Sequence, residues 1–247
     1  MRRVGRGRTP AIVVLLCAVA MSLSAASASA SAPVFFGKAA VGSTVASVPF
    51  TGTGESSFFE TKSGSKITCT QTISFSGEVT GATEVSNVQM TLGGCETNGV
   101  GCGVHAAEGG GEITFDTLAG TLGNVTSTTP GLRLFNQSTG RGGVLIEFTC
   151  AGGAIKVTLR GSVIGSLSGS SGKSVEEGKL ATAVKLSLVE AKGVQKYVQF
   201  LPGEGEPGAE QAESSIGGGP FELAGIDFTK SLSIKSTPLA GQFGFTK

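Results

Sequence analysis

The chain has 247 residues, of which 40 are Gly and 15% are charged, against the roughly 25% charged of an ordinary soluble domain. It holds no Trp, one Tyr (Tyr197), one His (His105) and two Asp, Asp116 and Asp227. That inventory excludes two-His metal sites, most His-dependent catalysis and sugar platforms built on Trp.

Residues 1–30 read as an address. Arg2, Arg3, Arg6 and Arg8 form a basic head, Ala11 to Leu23 an apolar run, and Ser24 to Ala32 a small-residue stretch, the layout of a secretory signal peptide. The apolar run falls short of the ~20 residues that span a bilayer. Ala28-Ser29-Ala30 satisfies the small-x-small rule, so cleavage is expected before Ser31. Arg2-Arg3 lacks the further consensus of a twin-arginine signal, and Leu16 before Cys17 is too bulky for a lipid-anchor motif. Cleavage removes four Arg and no acid, moving the net charge from +1 to −3. With no basic cluster, nucleic acid is not an expected partner. No later segment has the length and apolarity of a transmembrane helix. The expected location is the medium or the cell surface, with a single domain over residues 31–247 and a ligand and oligomeric state that the sequence does not name.

After residue 33 the apolar pattern has period two, the mark of half-buried strands. Ile67, Cys69, Ile73 and Phe75 alternate with Thr and Ser; Val88, Met90 and Leu92 with Gln89 and Thr91. Ile113 and Phe115 follow a Gly triplet, and Leu132 and Leu134 flank Arg133. Val144, Ile146, Phe148 and Cys150 share one face, and Ile155, Val157 and Leu159 another. Thr139 to Gly143 and Ala151 to Gly153 read as hairpin turns. Val175 to Val194 has helix-forming composition, yet Leu180 to Leu188 keeps strict alternation and is read as strand. Residues 165–174 read as a flexible Gly/Ser connection. Pro202 to Pro220 carries Glu204, Glu206, Glu210 and Glu213 with Ile216 as its one large aliphatic residue, and reads as a flexible acidic loop. These readings give an all-β fold, an antiparallel β-sandwich or jelly-roll of about 10–12 short strands, with a closed β-barrel as the alternative.

Four cysteines survive cleavage: Cys69, Cys95, Cys102 and Cys150. An even number in an exported chain implies two disulfides. A zinc site of Cys95, Cys102, His105 and Cys150 is the rival, and it lacks a CxxC pair; no metal or other cofactor is expected. A hairpin through Thr80-Gly81-Ala82 that matches apolar faces sets Phe75 against Val88 and Ile73 against Met90. It then brings Cys69 opposite Gly94, and a β-bulge at Gly93-Gly94 carries Cys95 across. The expected pairs are Cys69–Cys95 and Cys102–Cys150, with a local Cys95–Cys102 bond as the rival.

Catalytic motifs are missing or broken. Gly172-Lys173-Ser174 lacks the upstream Gly of a P-loop, Gly101-Cys102-Gly103 leads into no helix, no GxSxG elbow exists, and two Asp do not make a calcium loop. Carboxylates are what remains. Glu112 and Asp116 lie four apart on a predicted strand, about 13 Å by strand rise, beyond the roughly 6.5–9.5 Å of an inverting glycosidase pair. Glu147 approaches either from a neighbouring strand. Two readings follow: a non-enzymatic binding or structural protein whose carboxylates face solvent, and a glycan-active enzyme using Glu112, Asp116 or Glu147. The sequons at Asn124 and Asn136 would matter only in a eukaryotic secretory route.

An ordered series of segments resembles an uncharacterised family of exported actinobacterial proteins. It comprises Cys69 in a Thr-rich strand, Gly94-Cys95-Glu96, Cys102, Gly111-Glu112-Ile113 and Leu118 to Gly123. Glu147-Phe148-Thr149-Cys150, Arg160 to Gly165 and Gly218-Gly219-Pro220-Phe221-Glu222 complete it, so the likeness covers residues 65–235. The resemblance implies export, a bacterial source and a shared β fold, and it assigns no catalytic residue.

Overall fold

A computed structural model describes residues 47–103, 111–169, 183–201 and 211–236, together with the short strands 34–36, 208–209 and 244–246. Residues 1–30, His105, Lys173 and the stretch 202–207 lie outside the described residues.

The chain is all-β and antiparallel, as its alternating pattern predicts. Fifteen strands join one sheet, more than the 10–12 expected, because several four- and five-residue strands hide among the Gly and Ser runs. Two strands are long: Glu84–Thr97 with 14 residues and Ile155–Gly169 with 15. Each takes one set of partners along its first half and a different set along its second, and this double use organises the molecule.

The hydrogen-bonded pairings close into two circuits that share the long strands. The first runs from Glu84–Thr97 through Leu118–Asn124, Pro130–Asn136, Ile155–Gly169, Val184–Ser187, Leu232–Ser236, Val48–Gly54 and Ile73–Val79 back to Glu84–Thr97. The second runs from Glu84–Thr97 through Val100–Gly103, Val144–Cys150, Ile155–Gly169, Ala212–Ile216, Glu222–Phe228, Ser57–Thr61 and Lys66–Cys69 back to its start. Gly111–Thr114 adds to the second half of Glu84–Thr97. Closure gives most strands a partner on both edges, which removes the exposed backbone that invites further strand addition. One continuous core fills both circuits, from Phe50, Phe75 and Leu186 to Ile113, Phe148 and Ile226. Phe50 and Phe75 stack with centroids 5.6 Å apart. On the outer side of the same strands Thr51, Thr53 and Ser74 are exposed, so the Thr-rich alternation is a core face backed by a hydroxyl face.

The changeover on Ile155–Gly169 falls at Gly161. Residues before it pair with Val144–Cys150 and Ala212–Ile216, and residues after it with Pro130–Asn136 and Val184–Ser187. Gly161 has φ +102°, and its amide donates to the Gly143 carbonyl at 2.9 Å. Here the structure corrects one reading. Thr139 to Gly143 is no hairpin turn, because Pro130–Asn136 and Val144–Cys150 do not pair with each other but lie along successive halves of Ile155–Gly169. The Ala151–Gly153 turn does join a true hairpin, with Cys150 opposite Ile155.

Two supposed loops contain strand. Residues 165–169 complete the long strand. Within the 202–220 segment, Ala212–Ile216 pairs on both edges, with Ala212 and Ser214 buried. Small residues pass for loop in a sequence, yet they suit a strand squeezed between two neighbours. Outward, Arg160 holds this strand: its Nε and Nη2 donate to Glu213 Oε2 at 3.0 and 2.8 Å, and its guanidinium lies 3.7 Å over the Phe221 ring.

Both expected disulfides are present. Cys69–Cys95 and Cys102–Cys150 each join directly opposed residues, with Cα atoms 3.9 and 4.0 Å apart. All four half-cystines are at most 2% exposed. The register leading to them differs from expectation. Phe75 opposes Met90, not Val88, because the turn is one residue longer, with Val79 opposite Val85, and Asn87 at φ +52° adds another residue. A bulge does occur at Gly93-Gly94, but against Gly111–Thr114. The residue that restores phase for Cys69 lies in the stretch between Cys69 and Ile73.

Candidate functional site

The three carboxylates singled out from the sequence stand on the outer side of the second circuit. Ile113, Phe115, Ile146 and Phe148 face its interior, so strand alternation turns Glu112, Asp116 and Glu147 outward; all three are exposed. The main chain ties two of them together, since the Asp116 amide donates to the Leu145 carbonyl at 3.0 Å. That bond brings the residue after Phe115 beside the strand that carries Glu147.

Asp116 and Glu147 share one electrostatic neighbourhood, and their environments push them in opposite directions. Partial burial, and secondly the charge of Glu147, raises the Asp116 carboxyl above the usual aspartate range. Glu147 is held below the usual glutamate range, first by Lys156 at 3.0 Å and then by the Thr158 hydroxyl at 3.1 Å. Glu112 does not join this pair: among the described residues its carboxyl makes no hydrogen bond or ion pair.

Linkage fixes the sign of the pH dependence. The raised Asp116 contributes stability that is fully present below its unfolded pKa and lost as pH rises through its folded value. The lowered Glu147 contributes stability present above its unfolded pKa and lost as pH falls through its folded value. A carbon-detected NMR titration checks the coupling. In Glu147→Gln the Asp116 midpoint should move down, and in Lys156→Met the Glu147 midpoint should move up. An unmoved Asp116 midpoint would show that the two carboxylates do not sense each other.

One carboxyl raised beside another lowered is the electronic pattern of an acid–base pair. The setting is different, because both groups lie on an exposed sheet face. The cavity inside the second circuit lies behind that face and is lined wholly by apolar side chains, among them Phe59, Ile67, Leu92, Phe148 and Ile226. It offers about 20 Å³ to the centre of a water molecule, far below the ~300–1,000 Å³ of a small-molecule pocket. It is a packing gap in the core.

Asn136 is the organising residue that sequence reading missed, having taken it only as half of a sequon. Its Nδ2 donates to the Val144 carbonyl at 2.6 Å and to Asp116 at 3.5 Å. Its Oδ1 accepts the amides of Ser138 and Thr139, each at 2.9 Å. The signal was available in Asn136-Gln137-Ser138-Thr139, since an Asn followed by small polar residues closes an Asx turn. Asn136 and Asn124 are both buried, so neither sequon is open to modification in the folded chain. No metal-binding group of three or more His, Cys, Asp or Glu occurs among the described residues, and none of their helices is long and apolar enough to cross a membrane.

Comparison with protein-family models, with curated proteins and with solved structures finds no match to this chain.

Proposed function

We propose that this protein is exported, cut before Ser31, and acts in the medium or at the cell surface as a non-enzymatic binding or structural domain. The observation that carries this reading is the pair of fully buried disulfides between directly opposed strand residues. Such bonds form and persist in oxidising compartments and are rare in the cytosol. The basic head, apolar run and Ala28-Ser29-Ala30 of the first thirty residues supply the route. An extracellular or cell-wall ligand is the partner this reading expects. The opposed shifts of Asp116 and Glu147 favour the second reading, a glycan-active enzyme, but both carboxyls are exposed on the outer side of the circuit, whereas a glycosidase holds the glycosidic bond between its two carboxyls.

Expression with its own leader in an export-competent bacterium tests the route. N-terminal sequencing of the extracellular protein should begin at or beside Ser31, and a chain kept in the cytoplasm with Met1 intact would end the proposal. The mature protein, mixed with insoluble cell-wall glycan, should co-sediment without releasing reducing ends. Release that is lost in Asp116→Asn and Glu147→Gln would replace the binding reading by the enzymatic one.

A further inference from the structure

We propose that the second circuit is the oxidation-dependent half of the fold, closing only when its disulfides form, whereas the first circuit closes without them. The pairings set the two circuits apart. Every seam of the first is at least three residue pairs long, and Val48–Gly54 against Ile73–Val79 runs for seven. The second has three seams of two pairs each: Lys66–Cys69 on Glu84–Thr97, Val100–Gly103 on Glu84–Thr97, and Val100–Gly103 on Val144–Cys150. The middle one is the hairpin through Asn98-Gly99, already held by its own turn. The other two join segments distant in sequence, and each carries one disulfide: Cys69–Cys95 at a separation of 26, Cys102–Cys150 at 48.

So short a seam repays little of the entropy of ordering its strands, while a cross-link removes the closure entropy of the long loop behind it. The interior of the second circuit is also imperfectly filled. It contains the apolar cavity, and the buried hydroxyls of Ser57 and Ser214 on its strands find no protein partner among the described residues. Closing each bond takes two thiols and one small-molecule or catalyst disulfide. The protein cysteines lose two electrons and two protons, which the donor takes up as two thiols. The face that bears Asp116 and Glu147 is therefore assembled in the oxidised chain and open in the reduced one. The inference concerns the purified protein and does not depend on the export reading.

Amide hydrogen exchange on the mature chain tests it, comparing wild type with the variant in which all four cysteines of the second circuit, Cys69, Cys95, Cys102 and Cys150, are replaced by Ala. Protection in Lys66–Cys69, Val100–Gly103 and Val144–Cys150 should fall by about two to three orders of magnitude. Protection in Val48–Gly54, Ile73–Val79 and Leu232–Ser236 should fall by at least about tenfold less than in that set. Equal acceleration in both sets, no acceleration in either, or a variant unfolded throughout would each overturn the proposal. A second measurement uses the oxidised wild type at rising sub-denaturing urea: the second-circuit set should exchange through a lower-energy opening than the first, and a single common opening would contradict it.

Discussion

Replacing Cys102 and Cys150 together by Ala is expected to remove about 4 kcal/mol of stability, the closure entropy of a loop of that length in the chain-entropy model. For a domain of this size that corresponds to a fall in Tm of about 8–16 °C. The Cys69→Ala, Cys95→Ala pair should cost about 0.5 kcal/mol less, because its loop is shorter and the entropy grows only with the logarithm of length. The loop-closure term applies directly because both bonds join residues that are opposed in the ladder, so forming them distorts no pairing. Urea unfolding of the three proteins measures it. A variant as stable as wild type would mean that the two-pair seams hold by themselves.

Gly161→Ala is the second large effect, and its cause is local. At φ +102° no L residue is at ease, and an added Cβ would stand 2.3 Å from the Gln211 carbonyl oxygen. Neither the long strand nor Ala212–Ile216 can yield there without losing a pairing, because Gly161 opposes Ala212 and marks the changeover between circuits. A loss of about 3 kcal/mol is expected from strain and clash together. Gly142→Ala is the control: it has open space around its added Cβ and should stay within about 0.5 kcal/mol of wild type. If the two variants unfold at the same urea concentration, the backbone at Gly161 is not as described.

What the sequence reveals and conceals follows from which residues carry a pattern. Val144 to Cys150 and Ile155 to Leu159 announce themselves, because an apolar residue falls on every second position, and Ile146, Phe148, Cys150, Val157 and Leu159 of these face the core. The length of the two shared strands was concealed, because Gly93, Gly94, Gly161 and Gly165 interrupt them, and glycine is read as a turn until its neighbours are known. Ala212–Ile216 was concealed for the same reason, its buried face being Ala and Ser and its anchor, Arg160, lying 53 residues away. The disulfide pairing was legible although the register was not. Two cysteines on adjacent strands meet when the phase is nearly right: of the extra residues in the turn and at Asn87, one is offset in the stretch between Cys69 and Ile73, and the other brings Cys95 opposite Cys69. Of the candidate carboxylates, the meeting of Asp116 with Glu147 depends on a main-chain bond to Leu145 that no periodicity shows. Asn136, which holds the turn beside them, spoke only through a motif with a different customary meaning.

The measurement that bears most directly on the whole account is non-reducing peptide mapping of the protein recovered from outside the cell. The account predicts two linked peptides, one joining Cys69 to Cys95 and one joining Cys102 to Cys150, in a chain that starts at Ser31. A peptide linking Cys95 to Cys102, or free thiols at any of the four positions that react with alkylating agent, would contradict it.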